Sequence, residues 1–325
     1  MTNIIPKAEL HCHIEGAAPV ELAKTQAEKY GININNIIDG EHYKWHDFTS
    51  FITAYDTVAN LFKSEEDYQK LSFEYLASIA REGAVYSEIF VSPDHAMEAG
   101  LSPQAYFDGL AAGIDAAQSE FGIISRMIIV GVRHLGADKV EKAAQIAAAQ
   151  PHPYITGFGM AGDERSGCVA DFTRAFDIAR DAGLGITVHA GELLGAQSVK
   201  DAIDHLKPSR IGHGVRAIED ADLVKRIADE QIVLEVCPCS NISLSVFEDM
   251  GQHPFKQLVD VGVKTTISSD DPPFFATDLA NDYAQIAGTF NYSDKEMMQF
   301  TTNAIKAAFV DNEIKTKILT QINAE

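Results

Sequence analysis

The sequence predicts an α/β protein of the (β/α)8 TIM-barrel class, with a helical insertion after the first strand and extra helices at the C-terminus. Eight short runs rich in apolar and β-branched residues alternate, along 325 residues, with stretches whose apolar positions recur every three or four residues. Strand–helix alternation means a parallel sheet, and eight units in this length suit a closed barrel better than an open sheet. No G-x-G-x-x-G follows the first run, so the signature of a dinucleotide-binding sheet is missing.

The first run, 8–14, lies in "AELHCHIEG". A strand turns residues i and i+2 to one side, so His11 and His13 share a face on which two imidazoles can grip one divalent cation. Cys12, between them, points the other way into packing. Residues 17–82 are too many for a plain crossover and read as several helices. They hold the sole tryptophan, in "EHYKWHDFTSF" (41–51). An insertion after a barrel strand lies at the catalytic face, so Trp45, Phe48 and Phe51 either line a pocket there or pack the insertion onto the barrel.

The second run is 84–92. The stretch 102–121 reads as a helix with Ser102 as N-cap and Pro103 at its first position. Runs 126–133 and 154–160 follow, then a helix over 168–183 stopped by Gly183. Runs 185–190 and 210–213, a helix over 219–230, and runs 231–237 and 263–269 complete the eight. The tail beyond 291 is helical in pattern and is expected to pack outside the barrel. With no linker, repeat or low-complexity tract, residues 1–325 read as a single (β/α)8 barrel domain.

The apolar fraction of 46% is that of an ordinary globular chain, and no stretch reaches the roughly 18 apolar residues of a membrane span. A net charge of −21 argues against nucleic acid or an anionic membrane as partner. "MTNIIPKAEL" lacks a signal-peptide pattern, and four scattered cysteines (Cys12, Cys168, Cys237, Cys239) make no disulfide framework. The expectation is a cytoplasmic protein with reduced thiols. Oligomeric state has no signature in the sequence.

Ionisable residues gather at the C-terminal ends of the runs: His11 and His13, His189 in "GITVHAGE" with Glu192 three residues on, His213 in "RIGHGV", and Asp270 and Asp271 in "TTISSDDPP". In a parallel barrel these ends form one rim, where active sites lie. Unpaired charges are costly to bury, so such a cluster needs a cation. Imidazoles with a carboxylate suit zinc, and less often iron, cobalt or manganese. His11, His13, His189 and Asp270 would provide four protein ligands, with water as the fifth. The fourth run ends in "GFGMAGDE" without a lysine, which favours one metal ion per chain, although Asp163 and Glu164 leave a binuclear site open. The cysteines of "CPCSN" have no second pair near them and read as buried structural residues.

The pieces "PKAELHCHIEG", "MAGDE", "HAGE", "IGHG", "CPCSN" and "SDDP", in this order along most of the chain, resemble the adenosine deaminase family of the amidohydrolase superfamily. The resemblance implies hydrolytic deamination of a 6-aminopurine, with zinc held by His11, His13, His189 and Asp270. It implies that Glu192 protonates a ring nitrogen and that His213 orients and deprotonates the water. It also implies that Asp271 bonds the imidazole-ring nitrogen, and that the Gly162 N–H meets another ring nitrogen. The chemistry agrees. Zinc acidifies water, Asp270 with a free imidazole near it can take the proton, and a ring acid is needed as the hydroxide attacks.

On substrate, "MAGDE" and the long insertion favour adenosine or 2′-deoxyadenosine. Against them stands Glu15, at the position that faces a ribose 5′-hydroxyl in the family. Nucleoside deaminases carry Asp there, and base-specific relatives often carry Glu. Adenine or a modified adenine base is therefore the alternative. A hydrolase of a cyclic amide or ester is more distant, since it has no need of Glu192 as ring acid and more often wants two metals. A metal-binding protein without catalysis leaves Glu192 and Asp271 without a purpose.

Overall fold

The computed structural model describes residues 5–150 and 152–323; residues 1–4, part of the segment read for a signal pattern, lie outside them. Eight parallel strands follow one another in sequence order: β1 (Lys7–His13), β2 (Ala84–Val91), β3 (Ile124–Val132), β4 (Ile155–Ala161), β5 (Gly185–Ala190), β6 (Arg210–His213), β7 (Val233–Val236) and β8 (Lys264–Ile267). The sheet closes just beyond β8. Cys12 bridges Asp270, whose N–H donates to the His11 carbonyl (3.1 Å) while the His13 N–H donates to the Asp270 carbonyl (3.0 Å). Barrel closure therefore sets Asp270 beside both histidines of β1. All eight runs read from the sequence are strands of this (β/α)8 barrel, shifted by a residue or two at their ends.

The segment between β1 and β2 holds helices α1 (Val20–Tyr30), α2 (Phe48–Ala59) and α3 (Glu65–Arg81). Ser64 caps α3 by accepting from the Asp67 N–H. A small antiparallel hairpin, Ile38–Asp39 with His42–Tyr43, was not legible in the sequence because two-residue strands carry no alternation. The helix expected over 102–121 is Pro103–Phe121, capped by Ser102. The one expected over 168–183 divides into a 3-10 turn, Val169–Phe172, and a helix, Thr173–Asp181. The one expected from 219 begins at Ala221, where Asp220 caps it.

The tail is helical and packs outside the barrel as expected, except for one side chain, Phe309. Its helices, Asp294–Ala307 and Asn312–Ile322, pack outside the barrel, with Ala304, Ile305, Ile318 and Ile322 against Ala8, Leu10 and Tyr86. The link between them sends Phe309 inward onto Phe90, Ile128, Val130 and Ala161. The space is there because β5 opens with Gly185, where a Cβ would stand 2.2 Å from the Phe309 ring. Among the described residues no helix is long and apolar enough to cross a membrane.

Candidate active site

The strand ends bring the predicted ionisable residues together at one mouth of the barrel. His11 Nε2 and His13 Nε2 lie 3.4 and 3.6 Å from Asp270 Oδ1, and His13 Nε2 faces His189 Nε2 at 3.1 Å. Two ligands of one tetrahedral zinc, each about 2.1 Å from it, stand about 3.4 Å apart. The observed spacings match that geometry. His11 Nε2 is buried without a hydrogen-bond partner, and two imidazole nitrogens face each other across 3.1 Å. Both features fit a cation between them. Burial holds His13 down at about 3 and His189 well below its ordinary value, so each keeps the neutral form that offers a lone pair. Donor atoms of His11, His189, His213 and Asp270 all lie within 4.8 Å of one another.

Local structure shapes this convergence. Gly212 of β6 has no Cβ because one would stand 2.7 Å from the His11 ring. His213 (φ +59°) and Asp270 (φ +67°) adopt left-handed backbone conformations, which cost about 1 kcal/mol or more each outside glycine. The strain is held where the side chains must turn into the mouth. His213 Nε2 comes within 3.6 Å of Glu192 Oε1 and 4.0 Å of Asp270 Oδ2. Burial, then the charges of Asp270 and Glu164, push the Glu192 carboxyl well above its usual range. Asp271 is raised likewise by burial and by Asp270, and its Oδ1 has no partner. Glu192, Gly162 and Asp271 line a cleft that runs from the histidines outward past Phe48, Phe51, Ile52 and Tyr55.

Other expectations land differently. Phe48 and Phe51 line the cleft, whereas Trp45 packs edge-on against Phe51 and Phe275 and donates its indole N–H to the Phe274 carbonyl (2.8 Å). Glu15 does not line the cleft. Its carboxylate accepts from the Tyr106 hydroxyl (2.6 Å) and the Tyr55 hydroxyl (3.2 Å), and the Tyr55 ring stands on the cleft wall. Glu164 is not available for a second cation, since it accepts the N–H groups of Gly191 (2.6 Å), Glu192 (3.2 Å), Leu193 (2.7 Å) and Leu194 (2.8 Å). Asp163 is forked by Arg165. Cys12, Cys237 and Cys239 are buried free thiols.

Several buried polar residues around the mouth escaped sequence reading. Glu235 accepts from His11 Nδ1 (3.0 Å) and from Thr187 (3.0 Å), and pairs with Arg210 (2.6 Å), which in turn pairs with Glu88 (2.7 Å). Its signal was a charged residue inside the apolar run "IVLEV". Ser240 donates to Asp270 Oδ2 (2.7 Å), and Asn241 lies 3.3 Å from His213 Nδ1. Both belong to "CPCSN", in which only the cysteines drew attention.

The family model described as adenosine deaminase matches residues 6–325. A protein of Rhizobium meliloti (strain 1021) named adenine deaminase is 55% identical over 323 residues, covering 99% of this chain and all of that one. One from Chelativorans sp. (strain BNC1), also named adenine deaminase, is 57% identical and covers 97% of each chain. The crystal structure of adenine deaminase from Arthrobacter aurescens superposes with a TM-score of 0.91 at 29% identity, covering 98% of each chain. An amidohydrolase from Burkholderia ambifaria with bound Zn shares the fold at a TM-score of 0.90, 23% identity, and coverage of 99% of this chain and 90% of that one.

Proposed function

The chain belongs to the adenosine deaminase family and is a hydrolytic deaminase acting on a C–N bond; from that premise we propose that its substrate is the free base adenine, converted with water to the 6-oxopurine and ammonia. The observation that carries the reading is the state of Glu15. Its carboxylate is buried, accepts from the Tyr55 and Tyr106 hydroxyls and does not line the cleft, whereas Tyr55 does, so Glu15 is not presented to a sugar hydroxyl there. The relatives named adenine deaminase support it. The preference for adenosine drawn from "MAGDE" yields to these two facts. The Asp of that motif is spent on Arg165 and its Glu on the 191–194 loop, so neither faces a sugar.

The residues would act as follows. One zinc ion per chain would be held by His11, His13, His189 and Asp270, whose spacing suits it. When bound, zinc supplies Lewis acidity, which lowers the pKa of water from about 16 towards about 7. Asp270, kept ionised despite burial by His11 and His213, accepts the proton of the attacking water. Glu192 keeps its proton because it is buried, and gives it to a ring nitrogen as the oxygen attacks C6. Glu164 steadies Glu192 by gripping the backbone on both sides of it. The unpartnered Asp271 Oδ1 and the Gly162 backbone offer polar contacts to other ring nitrogens. Phe48, Phe51 and Ile52 cover the ring and exclude bulk water.

The test compares kcat/KM for adenine, adenosine and 5′-deoxyadenosine on protein whose metal content is measured. Adenine should be the best of the three, with close to one equivalent of zinc. Adenosine turned over faster than adenine would overturn the base reading, and activity that requires two equivalents would overturn the single-ion site.

A further inference from the structure

A chain of hydrogen bonds with a fixed direction ends at His213. It starts at the Phe255 N–H, which donates to His253 Nδ1 (3.1 Å); Pro254, between them, has no N–H to offer. A backbone N–H can only donate, so His253 Nδ1 is the acceptor and the ring hydrogen sits on Nε2. Burial holds the His253 pKa down at about 3, which agrees with a neutral ring. His253 Nε2 lies 3.1 Å from Asn241 Oδ1 and donates to it. The amide nitrogen of Asn241 is thereby turned to His213 Nδ1, 3.3 Å away. An NH2 group facing Nδ1 needs a lone pair there, so the single hydrogen of His213 lies on Nε2. That atom points between Glu192 and Asp270. All three side chains of the relay are buried, out of reach of bulk water that could reverse it.

We propose that Asn241 and His253 are positioning residues that hold His213 in its Nε2–H form, so that His213 donates a hydrogen bond to the attacking oxygen and does not remove its proton. The proton passes to Asp270. His213 is thereby separated from the imidazoles that offer a lone pair to the cation, although it stands beside them. The inference refines the deaminase reading, but its primary test needs no substrate.

The test is the imidazole nitrogen spectrum of the zinc-loaded, histidine-15N-labelled protein, with the His213 signals identified by their loss in His213→Gln. The expected result is a pyridine-like Nδ1 and a pyrrole-like Nε2. A pyridine-like Nε2 overturns the proposal, whatever the enzyme's activity on adenine. Asn241→Asp replaces the donor by a group that only accepts, so the two nitrogens should exchange character. kcat should then fall about 10–100-fold, taking as guide the loss seen on removing partners that orient metal-bound histidines, while KM changes less than kcat. His253→Gln keeps an N–H able to reach Asn241, and should retain the original nitrogen pattern. An exchanged pattern in Asn241→Asp with undiminished kcat overturns the catalytic part. Where Asn241→Asp does not fold, the unaltered protein and His253→Gln decide the matter.

Discussion

Removing the charge of Glu235 should cost both stability and metal affinity. The carboxylate is fully buried and serves His11 Nδ1 at 3.0 Å, Arg210 Nε at 2.6 Å and Thr187 at 3.0 Å. In Glu235→Gln one oxygen must do the work of two, and the amide nitrogen is forced to face either a histidine N–H or a guanidinium. Breaking a buried pair by removing one partner costs about 3–5 kcal/mol. Arg210 keeps Glu88 at 2.7 Å and stacks on Phe309 at 3.6 Å, so the lower end, about 3 kcal/mol, is expected. His11, freed to rotate and to change tautomer, should bind zinc about 10–100-fold more weakly. Denaturant unfolding of the metal-free protein reads the first effect, and chelator competition on the loaded protein reads the second. A variant within about 0.5 kcal/mol of the parent, the range of an ordinary surface substitution, and with unchanged zinc affinity, would show that the buried Glu235 network neither supports the barrel nor orients His11.

Glu192→Gln should keep zinc and fold but lose about 10²–10⁴-fold in kcat, whereas His11→Ala should lose the metal itself, as elemental analysis will show. Tyr55→Ala removes a cleft-lining ring and one hydroxyl bonded to Glu15, and should raise the ratio of kcat/KM for adenosine over adenine by about tenfold or more; an unchanged ratio in a folded, metal-loaded variant would show that Tyr55 does not keep Glu15 from a sugar. Asp67 accepts from Lys29 (2.6 Å), Tyr30 (2.6 Å) and the Lys63 N–H (2.9 Å), which, against burial, hold its carboxyl below the ordinary 3.8. A depressed folded-state value means that its stabilisation is complete above pH 3.8 and lost as pH falls through the lower value. Acid unfolding curves of Asp67→Asn should therefore converge with those of the parent below that range and separate above it.

Periodicity and punctuation were enough to read the barrel. The eight strands are short β-branched runs, and Ser102, Pro103 and Gly183 mark helix ends by chemistry that depends only on neighbours. The candidate metal and acid residues were legible for a related reason. A parallel barrel sends every strand's C-terminal end to one rim, so His11, His13, His189, His213 and Asp270 could be grouped without coordinates. Contacts that run between distant elements could not be read this way. Phe309 enters the barrel because Gly185 leaves it room, and nothing local to residue 309 says so. Glu15 looked available to a substrate until Tyr55 and Tyr106, 40 and 91 residues away, closed over it. The hydrogen on His213 is set by Asn241, His253 and the Phe255 N–H, which approach from beyond β7. Pattern records which residues share a face of one element. Which groups share a hydrogen bond across elements depends on tertiary packing, because burial removes the water that would otherwise satisfy each of them alone.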